Sequence, residues 1–394
     1  MIPHFWGMDI HKNYVMVAAV NQAQQVIMPP TRVEMAELAR WAQRYFKACD
    51  EVVLEAGANT WAVADLLSVH AGRVVVANPY KTKLIAEAQI KNDKVDASVL
   101  ARLLASRFIC DVWIPDVPVR EQRALAAHRA TLQKQCTRIK NRLHNLLQRR
   151  NLRCPQPSLF SPAGQHWLRT LQLPSVDLLQ VRHLLSQLDV LQQELDETDR
   201  LIAQKASQDP RVPRLMQASG IGYYTAFAIL AAIGQIQRFA SPDKLAAYAG
   251  LVPRQYQSGQ HAFNGHITKT GSPLLRWLMV EAARVAVRWD PHWRQLYQRI
   301  ATRRGSNIAT VAVARELLVV IWYLLTRQTT YYHLQPQTFV TKLQEWAYRI
   351  GRAHLPANSS KEFVYQHLSA LGLNDLAHSL SVRGRNGRVC VHTA

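Results

Sequence analysis

Acidic side chains are scarce in this chain: 27 Asp and Glu stand against 48 Lys and Arg, for a formal charge of +21 over 394 residues. Cysteine is scarce too. Cys49, Cys110, Cys136, Cys154 and Cys390 form no C-x-x-C pair, which argues against a disulfide framework or a structural zinc site and suits a reduced, intracellular protein. No apolar run exceeds the nine residues from Leu317 to Leu325, short of the roughly 20 needed to cross a bilayer. Met1 to Asp9 lacks the basic flank and apolar run of a signal peptide. No strongly basic amphipathic terminal helix offers an anchor. These absences exclude secreted and membrane proteins and make the cytoplasm the expected location. With 48% hydrophobic and 19% charged residues, the chain has material for proper cores and is not a disordered one.

The basic excess is uneven. Residues 1–115 hold 12 basic and 11 acidic side chains, whereas the remaining 279 hold 36 and 16. A near-neutral first domain followed by a basic remainder points to a polyanion gripped by the later domains. The first domain reads as α/β: short β-favouring runs at 5–10, 14–20 and 25–28, a helix over about 33–47, then strand 51–55, helix 60–70, strand 73–78 and a helix over about 95–108. That order predicts a mixed five-stranded sheet, its first three strands antiparallel and the later ones added in parallel. Residues 116–208 read as a helical arm. Leu132, Cys136, Ile139, Leu143 and Leu146 step by fours and threes, as do Leu184, Leu188, Leu191 and Leu195. The first helix is basic and the second acidic on its outer face, so they could pair with each other or with a second protomer. Residues 209–330 read as mostly helical, with loops at 219–222 and 252–271. The tail, 331–394, shows weaker periodicity and carries Arg383, Arg385 and Arg388 near its end.

Four carboxylates in the first domain stand out. Asp9 lies near the end of the first strand, Glu55 ends the fourth, and Asp93 and Asp96 open a helix three residues apart. In a sheet of this order the first and fourth strands are neighbours, so Asp9 and Glu55 can meet. Four acids at one sheet end would repel unless divalent cations screened them, and two Mg²⁺ ions so held activate an attacking oxygen and stabilise a leaving one. Each acid alone has a plainer account, as a helix cap or a turn residue. Farther along, Ser258 precedes Gly259 in a polar loop among Arg254, His261, His266 and Lys269. A nucleophilic serine must lose its proton to a base or a metal, and no Ser-His-Asp spacing is legible; an ordinary surface turn is the other reading. Ser219-Gly220-Ile221-Gly222 between apolar helices suggests either a helix-hairpin-helix, whose backbone N–H groups approach phosphates, or a tight turn between packed helices. Arg138, Lys140, Arg142, Arg149, Arg150, Arg254, Lys269 and Arg276 are the expected phosphate grips.

Taken in order, Gly7-Met8-Asp9-Ile10-His11-Lys12, Leu54-Glu55-Ala56, Asn92-Asp93-Lys94-Val95-Asp96-Ala97, and Tyr256-Gln257-Ser258-Gly259 with Ile267-Thr268-Lys269 resemble the insertion-sequence-110 family of DEDD transposases, which also includes pilin-gene invertases. The likeness runs over about residues 4–325. It implies a RuvC-like (RNase H-like) first domain, a coiled-coil arm and a helical transposase domain. It implies that Asp9, Glu55, Asp93 and Asp96 bind Mg²⁺, with Mn²⁺ a substitute, and that Ser258 joins DNA through a phosphoserine. It further implies target and donor DNA as substrates, a bridge RNA as guide, and a tetramer, a dimer of dimers, in which one protomer's acids stand beside another's serine. A metal-only nuclease, transposase or junction resolvase, a site-specific invertase, and a nucleic-acid-binding scaffold remain the alternatives.

Overall fold

In the first 20 residues, two short, nearly continuous apolar runs are joined by the polar bend at His11–Asn13 and pair as a hairpin buried on both faces. These are β1 (Phe5–Ile10) and β2 (Tyr14–Val20), antiparallel. The computed structural model describes residues 3–85, 93–258, 261–383 and 388–391. The chain divides into two compact units, Met1–Asp116 and Val117–Ala394.

The first unit continues with β3 (Val26–Glu34), α1 (Leu38–Tyr45), β4 (Glu51–Glu55), α2 (Thr60–Ser68), β5 (Arg73–Ala77), α3 (Pro79–Ile85), α4 (Asp93–Ala105) and β6 (Asp111–Val112). The sheet order is β3-β2-β1-β4-β5-β6, with β4 parallel to β1 and β5 parallel to β4. The sheet thus has six strands, not the five expected from the sequence. The extra one is a two-residue strand antiparallel to β5, too short for any alternation to register. The third strand also runs on through Pro29 and Pro30 to Glu34, where a helix start was expected. It lies at the sheet edge, where a missing N–H costs no ladder bond.

Successive β1 side chains face opposite layers. Trp6 and Met8 pack with Leu38, Ala42, Val63 and Leu67 of α1 and α2, while Phe5 packs with Leu100, Ala101 and Leu104 of α4. Gly7 makes the second layer close. A Cβ there would sit 2.1 Å from the Ala97 carbonyl oxygen and 2.5 Å from the Ala101 nitrogen, so α4 crosses β1 nearly backbone to backbone.

The second unit contains α5 (Val117–Arg149), α6 (Pro162–Thr170), α7 (Ser175–Ala206), α8 (Arg211–Met216), α9 (Tyr223–Ile233), α10 (Pro242–Tyr248), β7 (Pro253–Ser258), β8 (His261–Ile267), α11 (Pro273–Trp289), α12 (Pro291–Arg304), α13 (Ser306–Arg327), α14 (Pro336–Ile350), α15 (Ser360–Ala370), α16 (Asn374–His378), β9 (Leu380–Arg383) and β10 (Arg388–Val391). The basic α5 and the acidic α7 pair with each other within the chain. Cys136, Ile139, Leu143 and Leu146 bury against Val181, Leu184, Leu185 and Leu188, and Arg129 holds Asp199 at 2.9 Å.

The tail is more regular than its sequence suggested. Phe339, Val340, Leu343, Trp346, Ala347 and Ile350 form a full helical stripe in the core shared by α8, α9, α11 and α13. The side chains of Arg383, Arg385 and Arg388 lie outside the described residues. Apolar length also needs correcting. α13 has 22 residues and is long and apolar enough to cross a membrane, so the nine-residue run understated it. Its Val313, Leu317, Leu318, Ile321 and Leu324 are buried in the unit's core, the packing of an internal helix.

Candidate active site

Asp9 follows Gly7 by two positions in β1 and therefore lies on the face that α4 covers. The buried stripe of α4 is Ala97, Leu100, Ala101, Leu104 and Ala105, and carried one turn back that spacing reaches Asp93. Asp9, His11 and Asp93 each offer a ligand atom, all within 4.8 Å of one another. His11 Nε2 stands 3.1 Å from Asp9 Oδ2 and 3.1 Å from Asp93 Oδ2. The Tyr14 hydroxyl donates to Asp93 Oδ2 at 2.9 Å, its ring stacks on His11 at 4.5 Å, and the Arg32 guanidinium lies 4.1 Å over that ring.

Burial lifts the Asp9 carboxyl above its ordinary value; His11 opposes the lift, while the Asp93 and Asp96 charges add to it. The Tyr14 hydroxyl is raised as well, chiefly because it donates to Asp93. Neighbouring negative charges of the kind that add to the Asp9 rise also favour a divalent cation, and oxygen donors suit Mg²⁺ or Mn²⁺. The donor set of this cluster fits such an ion, with His11 nitrogen as an added ligand.

Glu55 ends β4, beside β1 through the Met8–Leu54 register, and is partly buried. Asp96 sits in the first turn of α4. Neither belongs to the tight cluster. His11 was missed by sequence reasoning, which took it for part of a bend. Its usable signal was the Asp9-Ile10-His11 spacing at a strand end, because the turn closed by the His11 N–H to the Tyr14 carbonyl keeps the imidazole beside Asp9.

The polar stretch around Ser258 is a β-hairpin, not an irregular loop. β7 and β8 pair antiparallel from Pro253–Ile267 to Ser258–His261. Ser258 ends β7; its side chain, and Gly259 with it, lie outside the described residues. The base of the hairpin is pinned from below: Arg276 donates to the Ala249 and Thr270 carbonyls at 3.0 and 3.1 Å. Gly250 and Gly271 take positive φ of 68° and 71° where a Cβ would strike backbone. Arg254 and Lys269 are exposed.

On α5, Arg138, Arg142 and Arg149 are exposed along one stripe, and among the described residues none is paired with an acid. Lys140 lies 5.1 Å over the Phe160 ring. Arg150 grips the Asp177 carboxylate at 2.5 Å. Arg150 and Arg276 thus have internal partners that the sequence did not reveal. The Ser219–Gly222 segment packs as a tight turn. Ser219 is buried and donates to Asp290 at 2.6 Å, and Gly220, at φ 82°, rests on the Ala282 carbonyl.

Comparison with known proteins places both units. The family described as "Transposase IS116/IS110/IS902 family" matches residues 212–298, and a DEDD transposase family of IS110 elements matches residues 6–151. The chain belongs to the IS110/IS116/IS902 transposase family. The transposase for insertion sequence element IS1111A of Coxiella burnetii is 29% identical over 349 residues, spanning 82% of this chain and 90% of that protein. The transposase for IS1328 of Yersinia enterocolitica is 25% identical over 71% of this chain and 85% of its own length. A probable family 20 transposase of Pseudomonas aeruginosa reaches 35% identity over 41% of this chain and 48% of its own. As an insertion-sequence transposase, the protein is a DNA-binding enzyme of strand cleavage and rejoining. Its DEDD domain goes with divalent-metal use.

Proposed function

We propose that this transposase cuts and rejoins donor and target DNA through a covalent phosphoserine at Ser258, with Asp9, Glu55, Asp93 and Asp96 holding Mg²⁺ in a RuvC-like first unit. The observation that carries the reading is the Asp9–His11–Asp93 cluster, which lies inside the stretch matched by the DEDD transposase family. Mg²⁺ bound there would screen the carboxylates and activate an attacking oxygen; Mn²⁺ would substitute. Asp9 and Asp93 would be oxygen donors alongside the other two acids, His11 would add a nitrogen, and Tyr14 would hold the Asp93 carboxylate in position. The Ser258 oxygen bonds to phosphorus as its proton departs, and one sugar oxygen leaves and takes up a proton. Attack by a different sugar hydroxyl then reseals the strand and frees the serine, so the phosphodiester energy is conserved without ATP. Arg138, Lys140, Arg142, Arg149, Arg254 and Lys269 hold phosphates, which gives affinity without sequence choice. A bridge RNA pairing with target and donor supplies the sequence choice, on a dimer of dimers.

The test uses cells that express the protein together with its flanking DNA. Lysis in SDS, recovery of DNA-bearing protein and mass spectrometry of the modified peptide should find phosphodeoxynucleotide on Ser258, absent in Ser258→Ala and Asp96→Asn. Joined DNA with no protein adduct would instead assign the reaction to metal-activated water or a 3′-hydroxyl.

A further inference from the structure

The β7–β8 hairpin that carries Ser258 exposes two aromatic rings within a stretch of sequence that holds no acidic residue. Tyr256 and Phe263 are cross-strand partners, 47% and 65% exposed, with ring centroids 5.0 Å apart and planes 16° from parallel. A Cβ on Gly265 would lie 3.1 Å from the Tyr256 ring, so the missing side chain lets Tyr256 lie against its own hairpin. Tyr256 therefore backs Phe263 on one side and Gly265 supports it on the other. Phe263 is left with an open face.

A cross-strand aromatic pair stabilises a two-stranded ribbon, and that explains the stacking. It does not explain why so much of the larger apolar surface stays in water. No Asp or Glu occurs from residue 244 to 280, while Arg254, His266 and Lys269 are exposed along the hairpin and at its base. That charge complements a polyanion, and the π-face suits a base freed from its stack. Phe263 lies two strand positions from His261, the register partner of Ser258, roughly 7 Å along the strand. That is the spacing of about two stacked bases.

We propose that the open face of Phe263, backed by Tyr256, stacks an unpaired base of the DNA strand next to the phosphate that Ser258 attacks. The surface makes this hairpin a wedge that favours unstacked DNA. The proposal deepens the serine reading and relies on it for the position of the scissile phosphate.

The experiment measures binding by the full-length Ser258→Ala protein, which cannot form the adduct. Its probes are a single-stranded DNA oligonucleotide carrying a fluorescent adenine analogue and the same sequence as perfect duplex. Phe263→Leu keeps apolar cover over Tyr256 but removes the stacking face. It should weaken single-strand binding about tenfold and abolish the analogue's quenching, with duplex binding unchanged. Phe263→Trp should retain both. Equal losses on duplex and single strand, or quenching that survives Phe263→Leu, would overturn the proposal. A loss seen with the matching RNA but not with DNA would overturn the DNA assignment. These readouts do not need the serine to react. Missing adduct with intact stacking sinks the catalytic reading alone, and an adduct without stacking sinks this one alone.

Discussion

Within the first turn of α4, three positions separate a carboxylate inside the tight cluster from one outside it. Asp93 shares the helix face of Ala97 and Ala101, which pack on Gly7, and so meets His11 and Tyr14. Asp96, one turn before Leu100, stands outside the tight cluster, and its charge adds to the rise of the Asp9 carboxyl. Mn²⁺ titration of the intact protein followed by electron paramagnetic resonance should therefore separate them. Asp93→Asn is expected to lower affinity at least about tenfold, and Asp96→Asn to lower it less. Equal losses would mean that Asp96 holds the ion as directly as Asp93. The acids were legible because strand ends and helix starts mark them. His11 was not, since one histidine in a polar bend carries no periodicity.

Lys342 shows the same limit at a buried position. Its ammonium donates at 2.8 Å to both the Met216 and Ala218 carbonyls beneath the Ser219 turn, tying the tail to the middle of the second unit. Burial pulls its pKa from 10.5 down to about 7. Between those values the unfolded chain binds more protons than the folded one, so this residue makes stability rise with pH from about 7 to 10.5 and adds no slope outside that window. Lys342→Met should flatten that dependence in urea melts. It should also cost about 1–3 kcal/mol where the wild-type amine is neutral, because two buried carbonyls lose their donor.

At the scale of elements, the α5–α7 pair was the most legible feature: each seam residue named from the sequence between Leu132 and Leu146 is buried. The hairpin of β7 and β8 was the least legible. Residues 253–257 of its polar first strand are all exposed, so no alternation of apolar positions marks it. The crossing of α4 over β1 falls between these extremes, since a glycine in a strand signals close approach without naming the neighbour. Gly7→Ala tests how far that crossing controls the site. The added methyl meets two backbone atoms and forces α4 away from β1. The first unit should lose about 1–3 kcal/mol, and Mn²⁺ affinity should fall although no ligand has changed. Lowered stability with unaltered Mn²⁺ binding would show that α4 reaches the cluster independently of Gly7.

Over the whole molecule, charge is the property that sequence describes best and places worst. The excess of basic residues after residue 115 says that a polyanion is held there, and membership of a transposase family agrees. Which arginines face that polyanion depends on packing. Arg138, Arg142 and Arg149 are exposed and share a stripe of α5, whereas Arg150 is spent on Asp177 and Arg276 on the Ala249 and Thr270 carbonyls. Each phosphate neutralised adds about 0.9 to the slope of log affinity against log salt. Replacing Arg138, Arg142 and Arg149 together by Ala should therefore reduce the slope for duplex DNA by up to about 2.7 and leave the melting temperature nearly unchanged. Arg150→Ala and Arg276→Ala should do the reverse, keeping the slope while costing on the order of 1 kcal/mol of stability each. Fluorescence anisotropy across a salt series, with thermal melts of the same variants, reads both quantities. A slope that falls equally for all five arginines would mean that the internal pairs of Arg150 and Arg276 open when DNA binds.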